Sequence, residues 1–411
     1  MQANLRRVLV AVALIAPAPS AFADVIADWN EKAVAFVTPR MTPPAAQRVV
    51  AMVQVAMFDA VNSIERRYRP YLVQLPAQAA ASKEAAAAAA AGSVLAGLHP
   101  QAQAELKAVT TAYLSNIRDD DAKSEGIRLG EAVAAKILEA RANDGADAAD
   151  AYRPKAKPGV YVPTPMTVAS MWPNVKPFAM TSPSQFRPEP PIALNSEQWA
   201  SDYNEIKELG ARTSSKRSAK QTEDARFWLI TGPQSTDPVA RQLAAVKGMN
   251  VIDNARFMAL AAVALADAYI AVMDAKYHYE FWRPITAIRN GDTDDNPATE
   301  RDATWQPIDN TPMHPEYPCA HCIGSAALAA VGEAVFGKAD IPEIAVTSSS
   351  APGVTHRWTN LHAYADEVAY ARIWAGFHYR FSVRVGQDMG RKIGKYVVDS
   401  VMQPSPIADA R

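Results

Sequence analysis

The sequence predicts an all-α fold built from two packed helical bundles, with few or no strands. Three observations favour this class. Apolar residues recur at helical spacing along most of the chain, and alanine, the best helix former, is abundant in several of these segments. The chain also has no alternating pattern of strands and helices, no repeat of fixed period and no glycine-rich phosphate-binding loop.

The N-terminus has the features of a secretory signal peptide. Residues 1–23 contain two arginines, an apolar stretch of signal length and a small-residue pattern that ends at Ala23, so we expect cleavage after Ala23. A membrane anchor is less favoured, because the apolar stretch contains Pro17 and Pro19 and is shorter than the ~20 residues that a spanning helix needs. The mature protein is therefore expected to be soluble, without a membrane span, and periplasmic or secreted.

Helical patterning divides the rest of the chain into an N-terminal helical region, 24–152, and a C-terminal helical region, 196–403, followed by a tail, 404–411. Between the two regions, 153–195 is rich in proline and has few periodic apolar runs, so it is predicted to be a long surface excursion. The expected helices are 45–63, 83–98, 101–117, 120–143, one that begins at 196, 239–273, 325–336, 360–375 and 382–402. The most apolar of these is predicted to be a buried core helix, because Asp267 interrupts it.

Composition excludes several classes of function. The chain has 42 basic and 43 acidic residues and a formal net charge of -1, which removes any global case for binding nucleic acid or a membrane surface. Its two cysteines are too few for a disulfide framework. No pattern indicates an oligomeric state.

The first motif that carries chemistry is KYHYEFWRP, from Lys276 to Pro284. Lys276 and Arg283 are seven positions apart, so on one helix their cationic groups would share a face. Glu280 could pair with either cation but cannot neutralise both, and the surplus positive charge favours an anion. Taken alone, this segment is more typical of a solvated helix face with an ordinary ion pair.

The second motif leads from Pro318 through His321 into a helix of small apolar residues. A proline turn before a helix leaves free backbone N–H groups, which together with the helix dipole favour an anion, and His321 would lie at the edge of that position. A single histidine near a helix start is more often a surface or core residue. The spacing of Cys319 and Cys322 does not fit haem attachment, since Ile323 stands where a histidine is required, and zinc would need more ligands.

The third motif contains Arg372 and His378, six positions apart. In one unbroken helix their side chains would point about 120° apart, so they converge only if the chain bends between them. Gly376 is a plausible position for that bend, because glycine commonly terminates helices.

In chain order, the pattern Lys, Arg-Pro, Pro-x-x-His and Arg-x5-His resembles the signature of the type 2 phosphatidic acid phosphatase and vanadium-dependent haloperoxidase superfamily. The resemblance extends from Lys276 to about Asp388 and rests on three spaced motifs. It implies a pair of helical bundles, in agreement with the all-α prediction. It also implies a pocket for a tetrahedral oxyanion, either phosphate or vanadate.

The resemblance implies a role for each matched residue. His378 would bond the central atom of the anion, either as the phosphorylated nucleophile of a phosphatase or as the protein ligand of vanadium in a peroxidase. His321 would be the acid–base group. The residues that would hold the oxyanion are Lys276, Arg283, Cys319, Ala320 and Arg372.

The sequence departs from the family pattern at several positions. The second motif usually reads Pro-Ser-Gly-His, but Cys319 and Ala320 occupy its middle positions, and Ala371 stands where the third motif usually has serine. One subgroup orients the reactive histidine with an acid four residues later, where this chain has Ser382. Asp388 could substitute for that acid, but it is better interpreted as a solvated surface residue.

Cys319 has two possible states. Near a helix start and three cations, a free thiol should ionise readily, and its thiolate would compete with the bound anion. Residues three apart on a helix lie ~5 Å apart, so a disulfide to Cys322 is also possible, and an exported location favours oxidation. The sequence leaves both states open.

The expected function is that of an exported haloperoxidase-like enzyme, with vanadate as cofactor and with halide and hydrogen peroxide as small-molecule substrates. Its length, its large N-terminal helical region and HPEYP before the second motif resemble that branch. The alternative is an exported acid phosphatase that cleaves a phosphate ester through a phosphohistidine, without a cofactor. A non-catalytic anion-binding protein is the third possibility.

Overall fold

The computed structural model describes residues 24–163 and 166–406 and shows an all-α architecture, as predicted. Within the described residues, thirteen α-helices are accompanied by one two-stranded antiparallel sheet, β1 (Asp340–Ser348) and β2 (Ala351–Asn360). The predicted signal peptide, residues 1–23, and the last part of the predicted tail, residues 407–411, lie outside the described residues.

The helices of the N-terminal half are α1 (Val25–Val37), α2 (Pro43–Glu65), α3 (Lys83–Leu98), α4 (Gln103–Leu114) and α5 (Asp121–Arg141). Those of the C-terminal half are α6 (Glu197–Leu209), α7 (Ala219–Phe227), α8 (Pro233–Lys247), α9 (Val251–Tyr279), α10 (Pro284–Arg289), α11 (Ala320–Phe336), α12 (Leu361–Trp374) and α13 (Arg380–Ser400).

The alanine-rich helix α3 lies at the centre of the N-terminal bundle, between α2 and α5. Its alanines from Ala85 to Ala91 are all buried, so the helix is covered on every side. Small side chains allow the neighbouring backbones to approach closely. At Gly130 of α5, a Cβ atom would lie 2.3 Å from the carbonyl oxygen of Ala86, so only glycine fits this contact.

Helix α9 is the core of the C-terminal bundle and also contacts α2, so one continuous hydrophobic core joins the two halves. Among the described helices, α9 is the one long and apolar enough to cross a membrane, and its most apolar window is entirely buried inside the protein. This agrees with the predicted buried core helix.

The predicted helix 239–273 is wrong in its boundaries, because the structure contains two helices there. Helix α8 ends before Gly248, which has a φ of 65°, and Asn250 caps the start of α9 by accepting a hydrogen bond from the Asp253 N–H. Local capping therefore overrode the continuous apolar pattern. Helix α11 begins at Ala320, five residues before the predicted start.

The proline-rich segment 153–195 has no α-helix among its described residues, but part of it is anchored in the core. Trp172 and Phe178 are buried, and the Asp267 carboxylate of α9 accepts hydrogen bonds from the backbone N–H groups of Phe178, Ala179 and Met180 at 2.6, 2.8 and 2.8 Å. These bonds explain how an acid is tolerated within the apolar helix α9.

Candidate active site

Lys276 lies in the last turn of α9 and is completely buried. Its Nζ atom donates hydrogen bonds to the carbonyl oxygens of Pro315 at 2.8 Å and Glu316 at 2.6 Å, which fixes the second motif against α9. Burial, together with the nearby positive charge of Arg283, lowers the pKa of Lys276 well below its usual range. An anion in the same space would reverse part of that shift.

Arg283 does not share a helix with Lys276, so that expectation is wrong. Helix α9 ends at Tyr279, Glu280 has a φ of 52°, and Arg283 is extended before Pro284. A residue before proline is disfavoured in the helical conformation, which agrees with the extended backbone of Arg283. Glu280 pairs with neither cation of the motif and instead forms a 2.5 Å ion pair with Lys155.

Arg283 nevertheless reaches the pocket and joins the other two motifs. Its Nε donates to the His314 carbonyl at 2.9 Å, and its Nη1 donates to the Phe377 carbonyl at 3.0 Å. Its Nη1 and Nη2 atoms lie 3.3 Å from Nε2 of His378 and 3.0 Å from Nδ1 of His314. Burial lowers the pKa of Arg283 to about 10. His314 is a third histidine of the site that the sequence analysis did not identify. The signal for it in the sequence was that His314 is the first residue of the HPEYP string.

The predicted bend between Arg372 and His378 is present. Helix α12 ends at Trp374, and Gly376 has a φ of 79°, a conformation that glycine adopts without strain. A Cβ atom there would also lie 2.5 Å from the carbonyl oxygen of Gly210. The bend turns His378 back towards the cavity that Arg372 lines.

Arg372 is 1% exposed, and its Nη1 donates to the carbonyl oxygen of Trp228. Its Nε has no hydrogen-bond partner within the described part of the chain. Burial and the neighbouring charge of Arg283 lower the pKa of Arg372 to about 9. A buried guanidinium with an unused donor is the arrangement expected where an oxyanion binds.

His378 is oriented by Glu316, a residue that the sequence analysis did not assign. The Glu316 carboxyl is fully buried, and its Oε1 accepts hydrogen bonds from Nδ1 of His378 at 2.8 Å and from the Tyr379 N–H at 3.1 Å. Because a guanidinium can only donate, Nε2 of His378 accepts from Arg283, and Nδ1 carries the ring proton. The lone pair of Nε2 therefore faces the cations. The available signal in the sequence was that Glu316 is the only acid in HPEYP, where it lies between two prolines.

The other acids and hydroxyls near the third motif do not orient His378. Asp388 is exposed and forms a 2.6 Å ion pair with Lys392, as expected for a surface acid. Ser382 is buried, and its hydroxyl lies beside the Glu316 carboxyl, where it lowers the pKa of that acid. Burial raises the pKa of Glu316 to about 7, against the lowering effect of Lys276 and Arg283.

The second motif places His321 in the first turn of α11. Its Nε2 lies 2.9 Å from the Ile230 carbonyl, so Nε2 donates and Nδ1 remains an acceptor. Burial, followed by the charge of Arg372, lowers the pKa of His321 well below its usual range. Ala320 is the first residue of the helix, and its N–H has no intrahelical partner.

Cys319 caps α11 and forms a disulfide with Cys322, and both residues are fully buried. The backbone N–H of Cys319 donates to the Ser382 carbonyl at 3.3 Å, and its Sγ accepts from the Cys322 N–H at 3.2 Å. The alternative of a free thiol that ionises beside the anion is therefore wrong, because both sulfur atoms are bonded. Cys319 contributes the helix start and no free N–H to the pocket.

A cleft of about 680 Å³ is lined by residues of the first and third motifs, among them Arg283, Arg372 and Phe377. Three buried cations, including Lys276, face one buried carboxyl group. This surplus of positive charge, next to the unprotonated Nε2 of His378, can bind a tetrahedral oxyanion and supply a ligand or nucleophile to its central atom.

Two family models match the chain. The model of the second helical-bundle domain of VCPO matches residues 256–405, and that of the vanadium chloroperoxidase N-terminal domain matches residues 22–176. The vanadium chloroperoxidase of Curvularia inaequalis is 29% identical over 196 residues, which is 40% of this chain and 30% of the length of that relative.

Solved structures show the same fold. A bacterial vanadium-dependent iodoperoxidase has a TM-score of 0.78 and 23% identity, covering 93% of this chain and 96% of the other. The holo form of a bacterial vanadium-dependent chloroperoxidase has a TM-score of 0.71 and 18% identity, covering 90% and 95%.

Proposed function

Because the chain belongs to the vanadium-dependent haloperoxidase superfamily, we propose that it is an exported enzyme that binds vanadate and oxidises a halide with hydrogen peroxide. The single observation that carries this proposal is the position of His378. Its Nε2 lone pair faces three buried cations, while Nδ1 is held by Glu316.

The residues of the pocket fit vanadate. Nε2 of His378 is the atom that would bond vanadium, since it is unprotonated and fixed in orientation. Arg372 offers its unpartnered Nε, Arg283 lies beside Nε2, and Lys276 adds positive charge without exposure to water. When bound, vanadate would supply the Lewis-acid chemistry that activates hydrogen peroxide towards a halide.

His321 is the group best placed for proton transfer. Its ring is neutral around pH 7, because burial lowers its pKa, and its Nε2 is held by the Ile230 carbonyl. The remaining nitrogen, Nδ1, can accept a proton from a substrate and return it. Holding the proton at this ring, and not at His378, keeps the Nε2 lone pair of His378 available for the anion.

The disulfide supports the peroxidase over the phosphatase. A thiolate in the pocket would be oxidised by peroxide or hypohalous acid. Cys319 and Cys322 form a buried disulfide, so this segment has no free thiol that the oxidant could attack. The export that we propose would place the protein where such a bond is maintained.

An acid phosphatase is the second candidate, because the Glu316–His378 hydrogen bond suits a nucleophile as well as a metal ligand. A carboxylate that accepts the Nδ1 proton increases the nucleophilicity of Nε2, as an attack on phosphorus would require. The three cations would stabilise the charge on the equatorial oxygens in that reaction as well.

The decisive experiment compares two assays on protein first loaded with orthovanadate and then freed of excess anion. Metal analysis measures bound vanadium, and dye halogenation with hydrogen peroxide is measured with chloride, bromide and iodide in parallel. Hydrolysis of a chromogenic phosphate ester is measured on vanadium-free protein. His378→Ala is the negative control, and Asp388→Asn is the matched surface control, because Asp388 pairs only with Lys392 among the described residues.

Halogenation that depends on vanadate and is lost in His378→Ala supports the proposal. Ester hydrolysis that vanadate inhibits, without halogenation, assigns the phosphatase instead. Tight vanadate binding with neither activity identifies a non-catalytic anion-binding protein. N-terminal sequencing of protein recovered from the exported fraction tests cleavage after Ala23.

A further inference from the structure

A second buried cluster of charged groups lies where α7 packs against the β-hairpin. The Ser348 hydroxyl donates to the Phe227 carbonyl at 2.6 Å, which holds the end of α7 against the hairpin. His356 of β2 stacks on the Phe227 ring, with ring centroids 3.8 Å apart and an interplanar angle of 5°. The His356 side chain is 3% exposed, so its position is fixed by packing.

The Nδ1 side of His356 is occupied by a carboxylate. Oε1 of Glu367 lies 2.5 Å from Nδ1. The same carboxylate accepts the indole N–H groups of Trp228 and Trp358, each at 3.0 Å. With two neutral donors already directed at Glu367, its charge holds the ring proton of His356 on Nδ1. In the neutral ring, Nε2 then carries the lone pair.

The Nε2 side faces two further carboxylates. Nε2 lies 3.6 Å from Oε1 of Glu223 and 3.6 Å from Oδ1 of Asp224. It is buried and has no hydrogen-bond partner among the described residues. The three ligand atoms all lie within 4.8 Å of one another, and the two 3.6 Å separations from Nε2 are near the roughly 3.3 Å spacing of ligand atoms in a tetrahedral zinc site. A lone pair and two anionic oxygens facing one point repel one another unless a cation lies between them.

Lys220 supplies positive charge to part of this cluster. Its Nζ lies 2.5 Å from Oδ1 of Asp224 and 3.3 Å from Oε1 of Glu223. The Lys220 side chain is 62% exposed and can turn into solvent, whereas the Nε2 of His356 is left without a donor. The ammonium therefore satisfies the two acids but not the histidine.

We propose that Glu223, Asp224 and His356 form a binding site for one divalent transition-metal ion of the Zn²⁺ class. One imidazole and two carboxylates supply three ligands, and water can complete the tetrahedron. Glu367 is the outer carboxylate that orients the ligating histidine, an arrangement common around zinc. The site lies outside the oxyanion pocket, and its metal binding does not depend on which reaction the pocket catalyses.

The test measures Zn²⁺ binding by calorimetry on chelator-treated full-length protein without vanadate and without an affinity tag. We expect one equivalent per chain and a rise in the melting temperature with Zn²⁺ concentration, because a ligand that binds only the folded state stabilises it. His356→Ala should weaken this binding by at least about tenfold, because removal of even an outer-shell partner of a zinc ligand costs that much. Glu223→Gln tests the same site through a half-exposed residue whose replacement leaves packing intact.

Two further variants make the result specific. Lys220→Gln removes the competing ammonium and should strengthen Zn²⁺ binding. His362→Ala is the matched control, because His362 also pairs with an acid, Glu333 at 3.1 Å, but is exposed. Cobalt(II) absorption reports whether the ion is four-coordinate. Zn²⁺ binding that is absent, or that both His356→Ala and Glu223→Gln leave unchanged, overturns the proposal. Preference for Ca²⁺ over Zn²⁺ would overturn the assignment of the ion class.

Discussion

The protein uses one histidine arrangement in two places with opposite surroundings. His378 and His356 each direct Nδ1 to a buried or partly buried carboxylate, Glu316 and Glu367, and each turns Nε2 towards further charged groups. Trp228 connects the two places, because its carbonyl accepts from Arg372 and its indole N–H donates to Glu367. The contact between Nδ1 and a carboxylate is therefore the same at both places.

The charges around Nε2 differ between the two clusters. At His378 the neighbours are the cations Lys276, Arg283 and Arg372, with a single acid in contact with the ring. At His356 the neighbours are carboxylates, with one exposed lysine. Burial makes uncompensated charge costly, so we expect each cluster to bind a ligand of opposite sign. In this proposal the sign of the surplus charge, and not the histidine, selects an oxyanion at one place and a metal cation at the other.

The largest expected effect is on turnover by His378→Ala. We expect complete loss of activity in either chemistry, because a vanadium ligand and a nucleophile both require Nε2. His356→Ala, measured in the same assay, should retain activity, since its ring faces the other cluster. Activity that survives in His378→Ala would show that the comparison assigns the wrong histidine to the reaction.

His321→Ala should have the next largest effect. We expect turnover to fall by ~10²–10⁴, the usual contribution of a proton-transfer group, while anion affinity changes little. The measurement is steady-state kinetics together with a vanadate titration. Equal loss of anion binding in His321→Ala and His378→Ala would contradict the separate roles of the two rings.

Arg372→Ala should weaken anion binding by at least ~1.5–3 kcal/mol, the value of one hydrogen bond to a charged group.

Orthovanadate and phosphate should compete for the pocket, because both are tetrahedral anions that meet the same cations. A titration of vanadate at saturating phosphate checks this competition. If saturating phosphate leaves the vanadate affinity unchanged, the prediction that both anions bind one pocket is wrong.

The smallest expected effect is the pH dependence of sulfate binding, since the charge of sulfate is constant near neutrality. Burial raises the pKa of Glu316 to about 7, so this acid is neutral below that pH and negative above it. A negative Glu316 opposes an anion, so sulfate affinity should fall as pH rises through about 7, by up to about tenfold per pH unit. Calorimetry at pH 6 and pH 8 should show a weaker dependence for Glu316→Gln. An unchanged dependence would assign the proton to another group.

Most residues of the pocket could be predicted from the sequence, but the hydrogen bonds that connect them could not. The motifs identified Lys276, Arg283 and Arg372, and glycine at 376 indicated the bend that the structure contains. The acid that orients His378 was missed, because Glu316 lies 62 residues earlier in the chain. Pairing across that distance depends on how α11, α12 and α13 pack, which local spacing does not encode.

The helical class and the bend at Gly376 were determined by the sequence itself, because backbone preferences act between residues a few positions apart. Tertiary structure alone decided that Glu280 turns away to Lys155, that Glu316 reaches His378, and that acids of α7 face His356 of β2. Buried charges interact strongly only where water is excluded, and which groups are buried together is fixed only when distant helices pack.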